Sequence, residues 1–197
     1  MHIAPIVQAG TPVLRARATE LDPTLIKTPE IQSLIEIMFV TMRDAPGVGL
    51  AAPQIGVGLR IFVLEDRAEL IANLSPTEIE ERGRFAFPAR VFINPTLSFI
   101  GAEKVGFFEG CLSVHGYAGW VERAAEVEVV GLDERGAEQT WRVRGWPARI
   151  LQHEFDHLEG GLYIDRMHTR SFATAEHAKT RYAGKSSAET RALLELD

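Results

Sequence analysis

Pro147-Ala-Arg-Ile-Leu-Gln-His-Glu-Phe-Asp-His-Leu-Glu159, stopped by Gly160 and Gly161, reads as a helix over 148–159, with proline at its start and glycine past its end. Trp146, Ile150, His153 and His157 fall on one side of it, so that side looks inward. Far upstream, Thr28, Pro29 and Glu30 supply an N-cap, a first-turn proline and a first-turn acid. Ile31, Leu34, Ile35, Met38, Phe39 and Met42 then follow at helical spacing until Asp44, Ala45, Pro46 and Gly47 break the pattern. Between the two helices the apolar period shortens to that of strands, at 59–64, 90–94, 97–100, 104–109, 126–132 and 140–143, with a turn at Asp133, Glu134, Arg135 and Gly136. Helix, antiparallel strands, helix is an α+β order: short antiparallel β-sheets around a central helix, an N-terminal helix before them and a C-terminal tail behind. The polar stretch 65–89, where Ser75 and Pro76 start a short helix, reads as a surface insertion, and 168–197 as a tail of patchy helical character. Residues 1–197 are expected to form one domain. The loop from Gly47 through Gly49 to Gly56 carries three glycines, which predicts unusual backbone angles.

A chain of 197 residues can bury one sizeable core, and 46% hydrophobic with 24% charged residues is the composition of a folded soluble protein. No apolar run approaches the roughly 18 residues of a membrane-spanning helix. Residues 1–10 show neither the basic start and apolar block of a secretory signal nor an Arg-rich presequence. The expected location is cytoplasmic, or organellar if a transit peptide has been removed. A net charge of −6 argues against a general nucleic-acid binder, which needs surplus Lys and Arg to release counterions. Neither DNA nor a membrane is an expected partner. Cys111, the single cysteine, has no internal disulfide partner and is left as buried filler, nucleophile or metal ligand.

His153-Glu-Phe-Asp-His157 is an H-E-x-x-H string inside the predicted helix. Four residues bring the two imidazoles onto one face, where they can share an ion. Glu154 stands about a quarter-turn away, within reach of a water on that ion and badly placed as a third ligand. This is an arrangement for metal-assisted hydrolysis, and it needs a third ligand from elsewhere. A metzincin-type continuation fails because Tyr163 stands where the last histidine is required. Glu176 lies at an acceptable separation for a gluzincin-type protease. Cys111, at a strand end in Glu109-Gly-Cys-Leu-Ser113, would complete a tetrahedral set with one position open.

Three segments, Gly47-Val-Gly-Leu-Ala-Ala-Pro-Gln-Ile55, Glu109-Gly-Cys-Leu-Ser113 and Gln152-His-Glu-Phe-Asp-His157, closely resemble in that order the three signature motifs of peptide deformylase. The likeness extends from Ile6 to Met167. Gly145-Trp-Pro-Ala-Arg-Ile-Leu-Gln152, running into His153 and Glu154, is similar to the subgroup that includes mitochondrial deformylases and some bacterial ones. The resemblance implies a metal-dependent amidohydrolase that removes the formyl group from the N-terminal formylmethionine of nascent polypeptides and releases formate. It implies Cys111, His153 and His157 as ligands of one divalent ion, Fe(II) in the cell, with Zn, Ni or Co as substitutes. Glu154 is the implied acid–base group. The Gln54 amide and the Leu112 N–H are the implied donors to the oxyanion.

For the substrate, the resemblance points to the backbone at Gly49 and Gly110 and to an apolar slot for methionine formed by Val48, Trp146, Arg149 and Ile150. The Arg149 guanidinium is expected to turn outward, leaving its stem on the slot. Glu109 and Arg123 read as an ion pair bracing the cysteine strand, and Asp156 as a helix-surface acid or an orienter of that site. After Ser113 the chain departs from the family pattern, with His115 in place of proline and Ala118 in place of arginine. His115 reads as a surface histidine near the cleft mouth, and the absent arginine leaves open how later substrate residues are held. Arg166, Arg170, Lys179, Arg181 and Lys185, with Glu176 the one acid among them, point to a ribosome contact through the tail. Two other functions compete: an H-E-x-x-H protease with Glu176 as third ligand, and a binding module with a decayed site. Intact Gln54, Cys111, His153, Glu154 and His157 argue against the second.

Overall fold

The computed structural model describes residues 2–72 and 74–196; Met1, Asn73 and Asp197 lie outside it. Helix α1 (Pro29–Asp44) stands where it is predicted, but the Thr28 side chain makes no capping bond, and burial of Ile35, Met38 and Met42 fixes the helix instead. β1 (Gly49–Ala51), β2 (Ile61–Asp66), α2 (Ala68–Ile71), α3 (Pro76–Arg82) and β3 (Phe87–Phe99) follow. Next come β4 (Lys104–Cys111), β5 (Val114–Ala124), β6 (Glu126–Leu132), β7 (Glu138–Arg144) and helix α4 (Trp146–Leu158). The tail adds β8 (Ala173–Thr174), α5 (Ala175–Tyr182) and α6 (Ser187–Leu193). The strands form two antiparallel sheets, ordered β1-β2-β3-β6-β7 and β4-β5-β8, which makes the fold α+β as predicted.

The apolar run Ile61-Phe-Val-Leu64 explains why the larger sheet is covered on both faces. Successive side chains of a strand point to opposite sides. Phe62 and Leu64 join Phe92, Val127 and Val129 against Ala148, Leu151 and Leu158 of α4, while Ile61 and Val63 join Val91 and Ile93 against Ile35, Met38 and Met42 of α1. Each of the larger side chains among them contributes about 1.5–3 kcal/mol on burial. α4 is thereby anchored to the large sheet, and its histidines are turned toward β4 of the small one.

Where two strands are predicted at 90–94 and 97–100, the chain forms the single strand β3. Asn94 (φ 50°) and Pro95 make a bulge there, across which the pairing with β6 shifts register between Ile93 and Thr96. The stretch 65–89 is exposed along much of α2 and α3 but returns to the interior at both ends. Asp66 and Phe87 are buried, and Arg84 donates two hydrogen bonds of 2.7 and 2.9 Å to the Asp66 carboxylate. The helix expected to start at Ser75 and Pro76 is α3, and Ser75 and Glu78 cap it reciprocally. This stretch also closes on the start of α4. Gly145 has φ 78°, and a Cβ there would meet the carbonyl oxygens of Gly83 and Arg82, so glycine is required.

The tail packs on the small sheet. β8 pairs with β5 at Tyr117 and Ala118, Tyr182 stacks on Phe108 with ring centroids 4.8 Å apart, and Ser187 Oγ donates to the Gly106 carbonyl. Among the described residues no helix is long and apolar enough to cross a membrane.

Candidate metal centre and cleft

β4 ends in Cys111, and α4 presents His153 and His157 one turn apart on the side facing it. Cys111 Sγ lies 3.3 Å from His157 Nε2, and one donor atom from each of the three residues falls within 4.8 Å of the others. Donors on a shared tetrahedral ion stand roughly 3.3–3.6 Å apart. The cluster therefore fits one divalent ion with little movement. Glu176, the other candidate ligand, is exposed in the first turn of α5 and is not part of this cluster.

Gln54 Nε2 and the Ser113 N–H approach the Cys111 sulfur at 3.5 and 3.4 Å. The surroundings act in opposite directions on the two rings. Burial and the charge of His153 hold the His157 pKa well below its ordinary value, leaving a neutral ring. Burial also opposes a charge on His153, but Cys111 and Glu109 outweigh it and push that pKa up. His153 Nδ1 lies 3.0 Å from Glu109 Oε2, which leaves Nε2 as the nitrogen it offers to the cluster.

Glu109 gathers the charges around this centre. Its Oε1 accepts from Arg123 Nε at 2.9 Å and Arg149 Nη1 at 2.5 Å, and its Oε2 from Arg123 Nη2 at 2.8 Å. Burial alone would raise the Glu109 pKa, but Arg123, His153 and Arg149 hold it well below the usual carboxylate range. Arg123 reaches on to Asp156 at 2.5 Å, and Arg166 pairs with the same carboxylate from the solvent side at 2.7 and 2.8 Å. The Glu109–Arg123 pair is thus present, whereas Asp156 is buried inside the network and is no surface acid. Arg149 also departs from expectation. Its guanidinium points inward, because Glu109 and the carbonyl oxygens of Val121 and Val105 replace the water it would otherwise need.

A cleft of about 440 Å³ opens over the centre, within the range of small-ligand sites. Val48, Gly49, Gly110, Trp146, Arg149 and Ile150 border it, as do Gln54, Leu112 and Glu154. Of the three loop glycines, only Gly56 (φ 83°) has left-handed backbone; the loop is instead β1 followed by a tight helical turn over Ala52–Ile55. Gly49 is small for a different reason, since a Cβ there would overlap the Glu154 carboxylate. Glu154 is buried, its Oε2 has no hydrogen-bond partner among the described residues, and burial, opposed by His153, pushes its pKa up to about 7. An unpartnered buried carboxylate oxygen beside three metal donors is what a bound ion and its water would satisfy. Gly49→Ala should keep the metal yet displace this carboxylate, and a shift of about 1 Å at a reacting group lowers rate on the order of 10²-fold. Turnover measured against metal content checks this.

Gln54 is buried, with Oε1 accepting from the Ala51 N–H at 2.9 Å and Nε2 directed toward Ser113 Oγ and Cys111. Leu112 occupies the turn between β4 and β5. His115 is exposed at the cleft, its N–H bonded to Gln8, and Ala118 is buried opposite Ala173 of the tail. Arg84, Tyr117 and Tyr163 reach the site with no motif to mark them. Arg84 arrives from the segment between α3 and β3 and Tyr117 from β5, while the buried Tyr163 ring stacks on His153 at 6.4 Å. Only Tyr163 has a sequence cue, its place just past the glycines that turn the chain back under the histidines.

Three donors, an adjacent acid and an open cleft on an α+β scaffold are the parts of a single-metal hydrolase. The sequence profile of the polypeptide deformylase family matches residues 3–173. The chain belongs to that family, which is one of metalloenzymes. It is 50% identical over 172 residues to peptide deformylase 1A, chloroplastic/mitochondrial, of Arabidopsis thaliana, covering 87% of this chain and 64% of that one. The chain thus spans less than two thirds of that plant relative. It is 47% identical over 180 residues to peptide deformylase 3 of Streptomyces avermitilis, covering 91% of this chain and 78% of that one. Among solved structures, the Met-Ala-Ser-bound class I type b peptide deformylase from Acinetobacter baumannii is 31% identical with a TM-score of 0.75, covering 84% of this chain and 99% of that one.

Proposed function

We propose that this protein hydrolyses the N-formyl group of formylmethionine at the start of nascent polypeptides, releasing formate. The observation that carries the reading is the meeting of Cys111, His153 and His157 with the unpartnered Glu154 carboxylate at the base of one cleft. A protease built on Glu176 is disfavoured, because that side chain lies outside the cluster.

Cys111, His153 and His157 would hold the ion, with Fe(II) the expected occupant in the cell and nickel, cobalt or zinc able to replace it in a mixed nitrogen and sulfur set. When bound, it supplies a Lewis acid and lowers the pKa of water at the site. Glu154 takes the proton of the attacking water on its free carboxylate oxygen and returns it to the departing amine. Gln54 Nε2 and the Leu112 N–H donate to the oxyanion that develops at the formyl carbon. The Ala51 N–H holds the Gln54 amide in place beforehand, so little reorganisation is needed. Val48, Trp146 and Ile150 offer the methionine side chain an apolar wall, and Gly49 and Gly110 let the peptide approach the backbone. The Acinetobacter relative binds Met-Ala-Ser, a peptide that begins as the deformylated product would.

Formate release from formyl-Met-Ala, by protein purified without oxygen, is the test. Chelation should reduce it to background and added Fe(II) or Ni(II) should restore it. A fully metallated sample that leaves formyl-Met-Ala intact ends the reading. We further infer a setting in which chains begin with formylmethionine, a bacterial cytoplasm or an organelle, and a ribosome contact through the exposed Arg170, Lys179, Arg181 and Lys185 of the tail. Replacing these four by Glu should abolish co-sedimentation with ribosomes; unchanged co-sedimentation would remove the contact.

A further inference from the structure

Arg149 precedes His153 by one turn of α4 and is 5% exposed. Its guanidinium crosses from the helix to the small sheet. Nη1 donates to Glu109 Oε1 at 2.5 Å and to the Val121 carbonyl at 3.0 Å, while Nη2 donates to the Val105 carbonyl at 2.5 Å. Val105 and Glu109 belong to β4, the strand that ends in Cys111, and Val121 is on β5, paired with Phe107 of β4. One side chain of the helix that carries both histidines is therefore tied to the strand that carries the sulfur, at two points along it, and to that strand's neighbour.

Charge reinforces the tie. Glu109, Asp156, Arg123 and Arg149 are all buried, two anions against two cations, and Arg149 shares the Glu109 carboxylate with Arg123. Neutralising Glu109 does not by itself require Arg149, since Arg123 already gives that carboxylate two hydrogen bonds. The two carbonyl contacts are what only Arg149 supplies. We propose that Arg149 is a positioning residue for the metal centre, acting through Glu109 on His153 and fixing the spacing between Cys111 and the paired histidines.

The inference rests on the ligand set proposed above, and the experiment separates the two. Wild-type protein and Arg149→Met are loaded with Co(II), their thiolate-to-cobalt and ligand-field absorption bands are recorded, and release of the ion to excess chelator is followed. Wild-type protein without a thiolate-to-cobalt band would overturn the ligand set and the inference with it. Given that band, Arg149→Met should show displaced ligand-field bands and release Co(II) about 10- to 100-fold faster, the usual loss when a group orienting a metal ligand is removed. Arg149→Lys, one cation with a shorter reach, should fall between the two. Wild-type bands and release rate in Arg149→Met overturn the inference even if its melting temperature drops, because that outcome marks a role in stability alone. Should Arg149→Met fail to fold, Arg149→Lys decides on the same readouts: intermediate bands and release support the inference, and wild-type values overturn it.

Discussion

Glu154→Gln should lower kcat for formyl-Met-Ala by about 10² to 10⁴ while leaving the metal content at the wild-type level. The carboxylate lies against the backbone of Gly49, where a Cβ would overlap it, and its Oε2 is buried without a partner among the described residues. Gln has nearly the same size and shape, so the packing of α4 against β1 survives the change. What disappears is the capacity to accept a proton and return it. Cys111→Ala should behave differently, losing activity together with the ion. The pair of measurements separates a proton carrier from a ligand: activity lost with metal retained assigns Glu154 to proton transfer, and activity lost with the metal would make it a fourth ligand. A kcat within tenfold of wild type would take Glu154 out of the reaction.

The H-E-x-x-H helix can be read from one dimension because all its determinants are local: a proline start, a glycine stop and histidines at one-turn spacing. β6 is legible for the same reason, an alternating run that closes at a clear turn. β5 is not. Its sequence Val114-His-Gly-Tyr-Ala-Gly-Trp120 carries two glycines that weaken the strand pattern, and its existence depends on pairing with β4 on one side and β8 on the other. Gly49 reads as a loop glycine that lets the substrate approach, until Glu154, far along the chain, is seen to occupy the space its side chain would take. The outward turn of Arg149 and the surface-acid reading of Asp156 fail through the same gap. A charged residue on a helix is by default exposed, and only the tertiary partners Glu109 and Arg123 make their burial tolerable. Residue types at the candidate centre could be named from motifs. Their orientation could not, because it is set by contacts between elements.

Arg123→Met should destabilise the fold by about 3–5 kcal/mol, the usual consequence of removing one partner from a buried ionic cluster. Arg123 is 5% exposed and donates to Glu109 at 2.9 and 2.8 Å and to Asp156 at 2.5 Å. Without it Glu109 keeps Arg149 and His153, and Asp156 keeps only Arg166, whose side chain is 57% exposed and correspondingly weak as a partner. At roughly 2–4 °C per kcal/mol for a chain of this size, the melting temperature should fall by roughly 6–20 °C. Arg142→Ala, which breaks an ion pair with Glu126 on the surface, should leave it almost unchanged and serves as the control. The effect should also reach the metal. Burial disfavours the Glu109 carboxylate and Arg123 is the foremost charge offsetting it, so in the variant Glu109 protonates at higher pH and becomes a poorer acceptor for His153 Nδ1. Release of the ion to a chelator should therefore quicken by about 10- to 100-fold as well. Melting curves of the metal-loaded and metal-free variant, with the release rate, test both parts. A variant that melts with wild type would mean that β4 is held at the centre without Arg123, by its pairing with β5 and by the Arg149 contacts.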